Sequence, residues 1–222
     1  MAMRFIALSL FVFIAACTSA EIASTPSEEG VSAYRAKDYD RAWALLAPLS
    51  ENGYYRAKRY QAFMLLEGNA PVECEPDLCA SQAVTLLLDG ARRGDNNAII
   101  VLEAMISSEA SYAPTEEQMI SIERQRADED DPMTAWRLVK RIDAGTLDET
   151  PENTVRYLKV VSKGDPNIFP YATDAAFRVC QAYATGEGVD ENISSARRWC
   201  KKAADRGYNA AVMALGQLNR VR

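Results

Sequence analysis

The chain has 222 residues, with 25 Lys or Arg against 31 Asp or Glu, a net charge of −6, and nearly half of its residues are apolar. That composition can bury one extended or one to two compact domains, and its acidity argues against general nucleic-acid binding, which draws most of its affinity from phosphate neutralisation. Histidine is absent, which removes Ser-His-Asp triads, Cys-His dyads and every His-containing metal site together.

The first residues read MAMRFIALSLFVFIAACTSA. Arg4 supplies a short positive flank. The apolar run from Phe5 to Ile14 is too short to anchor in a bilayer, so the segment reads as an export signal and stays out of the fold. Its end, Ile14-Ala15-Ala16-Cys17, resembles a bacterial lipobox. The resemblance implies a signal peptide of residues 1–16 and a diacylated Cys17 as the mature N-terminus; cleavage after Ala20 is the alternative. Thr18 rather than Asp follows Cys17, which by the usual bacterial sorting pattern implies the periplasmic face of the outer membrane. Without the lipid the product is soluble in the periplasm or secreted. If Cys17 carries lipid, Cys74, Cys79, Cys180 and Cys200 remain, an even set in an oxidising compartment. Three pairings are open. Proximity favours Cys74 with Cys79 and Cys180 with Cys200, with buried free thiols as the alternative for the second pair.

Residues 17–29 are small, polar and unpatterned, and read as a flexible tether; residues 30–222 read as one helical repeat domain. Helices are predicted near 30–37, 39–51, 54–67, 80–93, 96–108, 116–128, 133–144, 152–163, 173–185, 194–206 and 209–220. Thr115 opens a capping box, Asp131-Pro132 and Thr150-Pro151 pair an N-cap with proline at the first helical position, and Asn192 or Ser194 opens the penultimate helix. No stretch alternates as a strand does.

A spacing recurs along these helices. From Ala196 it runs Trp199, Ala204, Gly207, Ala211, Leu215. From Ala83 the same offsets give Leu86, Ala91, Gly94, Ala98, Leu102, and from Ala42 they give Leu45, Ser50, Gly53, Ala57. A weaker copy starts at Ile120 and puts Asp131 at the glycine position, followed by Ala135 and Val139. Another starts near Asn153 and reaches Gly164 before the insertion DPNIFPY. Such a repeat fits a helical hairpin, with glycine closing one helix and alanines letting consecutive helices approach. The expected fold is all-α, a solenoid of about five antiparallel helical hairpins.

The stretch from Ala175 to Gly216 resembles the Sel-one-like repeat family, a relative of the tetratricopeptide repeat. The matching features are Ala175, Val179, Tyr183, Gly186, Gly188, Val189, Ala196, Trp199, Lys202, Ala203, Ala204 and Gly207. Cys180 departs from the family's glycine, and NAPVECEPDLC stands where the Gly-x-Gly-Val loop belongs in an earlier copy. Some relatives carry disulfides between the two helices of a repeat, at the positions of Ala176 and Ala204 here. Positions 180 and 200 are that pair moved by one turn in opposite directions, which the resemblance therefore implies as a bridge.

Candidate binding residues fall in two groups. Tyr54, Tyr55, Arg56 and Arg59 belong to GYYRAKRYQAF, an aromatic-basic cluster of the kind that anchors partners; the alternative puts Ala57 and Tyr60 in the hairpin seam and the basic residues on its solvated rim. Arg197, Arg198 and Lys201 belong to a basic stripe that either steers a partner or is a solvated helix face. The acidic run at 128–131 lacks the alternating ligands and turn glycine of a calcium loop and reads as a solvated turn with Asp131 as a cap. No metal site, cofactor or catalytic set emerges. Gly186-x-Gly188 follows no strand, so it is no phosphate cradle, and no Ser-x-x-Lys occurs. The expectation is a non-enzymatic adaptor tethered by lipid alone, binding an unknown protein or peptide of the cell envelope in its groove. A cell-wall-directed enzyme or small-ligand binder and a self-associating envelope protein are the alternatives.

Overall fold

The computed structural model describes residues 25–220, and among them eleven helices and no strand. These are α1 (Pro26–Arg35), α2 (Tyr39–Glu51), α3 (Tyr55–Leu66), α4 (Pro76–Arg92), α5 (Asn96–Ser107), α6 (Glu116–Asp128), α7 (Pro132–Asp143), α8 (Pro151–Val161), α9 (Tyr171–Thr185), α10 (Ile193–Asp205) and α11 (Asn209–Leu218). Taken in pairs they make five hairpins, with α11 beginning a sixth. Residues 1–16 and Cys17 lie outside the described residues, so the export signal and the lipid site have no structural counterpart here.

Local chemistry sets the helix ends. Thr25 Oγ1 accepts from the Glu28 amide at 3.3 Å while Glu28 Oε2 accepts from the Thr25 amide at 3.0 Å. With Pro26 at the first helical position, this capping box starts α1 inside the stretch expected to be tether. The tether boundary at 29 is therefore corrected: Thr-Pro-Ser-Glu is a helix start. α4 likewise begins at Pro76 rather than near residue 80, because proline there gives up an N–H that would have had no helical partner.

The turns between hairpins correct one register. Gly53, Gly94 and Gly207 close α2, α4 and α10 with φ of 84°, 99° and 85°. In the weaker copy Asp130, not Asp131, takes this place, with φ 66°. Asp131 is needed one step later as the N-cap of α7, where it accepts from the Met133 amide at 2.9 Å and the Thr134 amide at 3.2 Å. A short polar side chain is among the few that tolerate the left-handed region. The copy thus runs Met119, Ile122, Ala127, Asp130, Thr134, Leu138, and all of these but the aspartate are buried.

Packing follows sequence order, as in a solenoid where each unit rests on its neighbours. α1 through α5 pack in succession, as do α6 through α11, and α6 also rests on α4. The seams hold the predicted small residues: Ala42, Ala57, Ala83, Ala91, Ala98, Ala196 and Ala211 are fully buried. One core links α3 through α6 and another links the end of α6 to α9. Cys74 is joined to Cys79 and Cys180 to Cys200, with Cα separations of 5.7 Å and 5.1 Å. The insertion before α9 is not a loose loop. Phe169 is buried against Gly164, where a Cβ would stand only 2.7 Å from the Phe169 ring.

Candidate partner-binding surface

The two residue groups singled out in the sequence lie on α3 and α10, in different hairpins, and form no common site. Tyr54 and Tyr55 are exposed and stacked on each other, with ring centroids 6.1 Å apart. Arg56 lines a hollow of about 640 Å³ between α1, α2 and α3, together with Glu28, Glu29, Arg35 and Arg41. Arg59 turns inward. Its side chain is only 11% exposed and pairs with Asp95 at 2.8 Å, so it does not sit on a solvated rim. Neighbouring Lys58 is similarly held by Asp89 at 3.0 Å.

On α10, Arg197 donates through Nε and Nη2 to the Leu218 carbonyl at 3.1 and 2.8 Å, which satisfies the end of α11. Lys201 is exposed and pairs with Asp205 at 2.7 Å, and Arg198 is exposed. Much of the basic stripe thus has work within the fold. The acidic turn is also absorbed: Asp131 caps α7, Asp128 pairs with Arg156, and Asp130 takes Lys163 at 2.6 Å.

A groove whose lining residues were not singled out in the sequence lies along the first helices of successive hairpins. It has a volume of about 540 Å³ and is lined by Glu103 of α5, Met133, Trp136, Arg137 and Lys140 of α7, and Tyr171 of α9. Trp136 and Tyr171 stack with centroids 4.3 Å apart and planes 19° apart, and Phe169 meets Tyr171 edge-on at 5.3 Å. Met133 and Tyr171 are both substantially exposed. Arg137 pairs with Glu103, whereas Lys140 is exposed and, among the described residues, takes part in no ion pair. The only sequence signal for this platform was the insertion that delays α9, since it is what carries Tyr171 to Trp136.

Arg141, which also lines the groove, bridges Glu116 at 3.2 Å and the fully buried Glu123 at 3.0 Å. Burial pushes the Glu123 carboxyl above the ordinary carboxylate range, against the opposing pull of Arg141. Its Oε1 and the Nε of Arg137 are buried without a hydrogen-bond partner. An aromatic platform beside a free ammonium suits recognition of a polypeptide side chain or carboxylate better than it suits bond-breaking. Among the described residues no cluster of Cys, Asp or Glu is arranged to hold a metal ion, and no helix is long and apolar enough to cross a membrane.

Residues 173–208, which contain most of α9, the Gly186–Val189 loop and α10, match the model of the Sel1 repeat. The chain carries a Sel1 repeat. Over 85% of its length the chain has the fold of a Sel1 repeat protein from Oxalobacter formigenes, which is 17% identical, with 74% of that protein covered and a TM-score of 0.52. A protective antigen present in uropathogenic Escherichia coli strains and displaying an SLR fold is 22% identical at a TM-score of 0.45, with 87% of this chain and 40% of that one covered. No curated protein matches the sequence. Sel1 repeat proteins typically mediate protein–protein interaction on a scaffold that is generally non-catalytic.

The structure gives the Sel1 loop a physical reason. Gly188 has φ 69° and sits against the start of α8, where a Cβ would collide with the carbonyl of Pro151. The loop glycine thus lets one Sel1 hairpin rest on the helix before it.

Proposed function

We propose that this protein is a lipid-anchored scaffold on the periplasmic face of the outer membrane, and that its groove binds a protein or peptide of the cell envelope. The observation that carries the binding reading is the platform of exposed Tyr171 and Met133 on the half-buried Trp136, with Lys140 at its edge in no ion pair among the described residues. Aromatic anchors supply contact area at low entropic cost, and a free ammonium adds selection for a partner carboxylate. Anchoring rests on the lipobox-like end of the leader at Cys17.

The test is crosslinked affinity capture of the full-length protein from solubilised membranes, beside a Met133→Glu/Lys140→Glu form and a Cys17→Ala form. A partner recovered with the wild type and lost with the groove form, at unchanged melting temperature, is the expected result. Equal recovery with both would overturn the groove assignment. The Cys17→Ala form should leave the membrane pellet and lack acyl chains by mass spectrometry; its retention in the pellet would overturn the anchor.

A further inference from the structure

α7 presents one row of side chains to the groove. Met133, Trp136, Arg137, Lys140, Arg141 and Ala144 line it, and steps of three and four residues keep such a row on one face of a helix. The row changes character along its length. Its first turn is apolar, with Met133 and with Trp136 stacked on Tyr171 of α9 at 4.3 Å. Its second turn is cationic, and the three cations differ in what they already hold. Arg137 pairs with Glu103, and Arg141 pairs with Glu116 and Glu123. Lys140 is exposed and, among the described residues, holds no carboxylate.

Length and volume select the form of the occupant. From Met133 to Ala144 the row is about 16 Å long at about 1.5 Å per residue, a distance that five extended residues span at about 3.3 Å each. An extended segment of that length, about 4.8 Å by 10 Å in section, fills about 800 Å³. A helix of that length, about 10 Å across, fills about 1,300 Å³. The groove holds about 540 Å³, so it takes up most of the first and less than half of the second. Spacing then selects the sequence. Lys140 lies one helical turn beyond Trp136, about 6 Å along the axis. In an extended chain, side chains two residues apart share a face at about 6.6 Å, while adjacent ones point to opposite faces.

We infer that the groove binds an extended partner segment in which an apolar and an acidic side chain stand two residues apart, the first on the Trp136–Tyr171 platform and the second on Lys140. This rests on the groove reading and narrows its partner. Glu103, Glu116 and Glu123 already neutralise the neighbouring guanidiniums, so one acidic side chain, rather than an acidic run, matches the open charge. The apolar residue supplies contact area, and the acidic one fixes register along α7.

The test titrates short fluorescent peptides into the full-length protein in detergent. On a background of Ser and Thr they carry Phe-Thr-Glu, Glu-Thr-Phe, Phe-Glu-Thr or Phe-Thr-Lys, and a further peptide, stapled as a helix, carries Phe and Glu one turn apart. Phe-Thr-Glu or its reverse should bind about tenfold or more tightly than the adjacent, Lys and stapled forms, and added salt should weaken it. Lys140→Glu should weaken that peptide about tenfold or more and make Phe-Thr-Lys the tighter ligand. Arg198→Glu, the same change of charge at an exposed position on α10, should leave binding as it was. Equal binding at both spacings, preference for the stapled helix, no reversal with Lys140→Glu, or no binding of any peptide would overturn the inference. The groove reading fails separately, if the crosslinked partner is still recovered with the Met133→Glu/Lys140→Glu form.

Discussion

Asp95 shows how much one side chain holds in this fold. Its Oδ1 accepts from the amides of Asn97 and Ala98, which opens α5, and also from Arg59 of α3 at 2.8 Å. Both charged groups are nearly buried, so removing one strands the other. Asp95→Ala or Arg59→Met alone should each cost about 3–5 kcal/mol, read as a shift in chemical denaturation, while the double variant Asp95→Asn/Arg59→Met, which strands no charge, should cost less than the two together. Glu123 behaves in the opposite sense. Because its folded-state affinity for a proton is raised by burial, the folded protein holds that proton at pH values where the unfolded chain has lost it. Stability therefore falls as pH rises from 4.5, the ordinary glutamate value, through the raised one. Glu123→Gln should remove this fall and leave the protein as stable as the wild type, or more so, at neutral pH. Denaturant midpoints measured at pH 4 and pH 7 give the comparison, and a larger loss in the Gln form at pH 7 would show that the Arg141 pair outweighs burial.

At the scale of elements, the connections carry as much information as the helices. Gly188 combines a left-handed backbone with a contact that admits no Cβ against Pro151. Gly188→Ala should destabilise by about 2–4 kcal/mol. Gly207→Ala, with φ 85° but open space around it, should cost only the backbone strain of about 1–2 kcal/mol. Thermal melts of the two variants separate collision from strain. The insertion before α9 makes the same point: Phe169 fills the space beside Gly164 and Tyr171 completes the Trp136 stack, so a departure from the repeat builds the groove.

Across the whole molecule, stability is shared between neighbours, and a terminal unit has support on one side only. The Cys180–Cys200 bond, which spans 20 residues, lies in the last full hairpin. Replacing both cysteines by alanine should cost about 3 kcal/mol in the chain-entropy model. Hydrogen exchange should place the loss in α9, α10 and α11 and leave α3 to α6 protected. Loss of protection spread evenly over the chain would mean that the solenoid melts as one unit.

The sequence by itself determined the eleven helices, their hairpin order and the alanine seams, because caps, prolines, turn residues and small-residue spacing act within one or two turns of chain. It also favoured both cysteine pairs by proximity. Its errors were local as well: Thr25 begins a helix inside the supposed tether, and Asp130 stands where glycine was sought, since an aspartate can cap a helix or turn left-handed and the string does not say which. What only the tertiary structure decided is which side chains remain free. Arg59 and Arg197, which looked available for a partner, are committed to Asp95 and to the Leu218 carbonyl. Trp136 and Tyr171, which drew no notice, meet in the groove. Those outcomes depend on residues distant in the chain being brought within a few ångströms, and no periodicity records that distance.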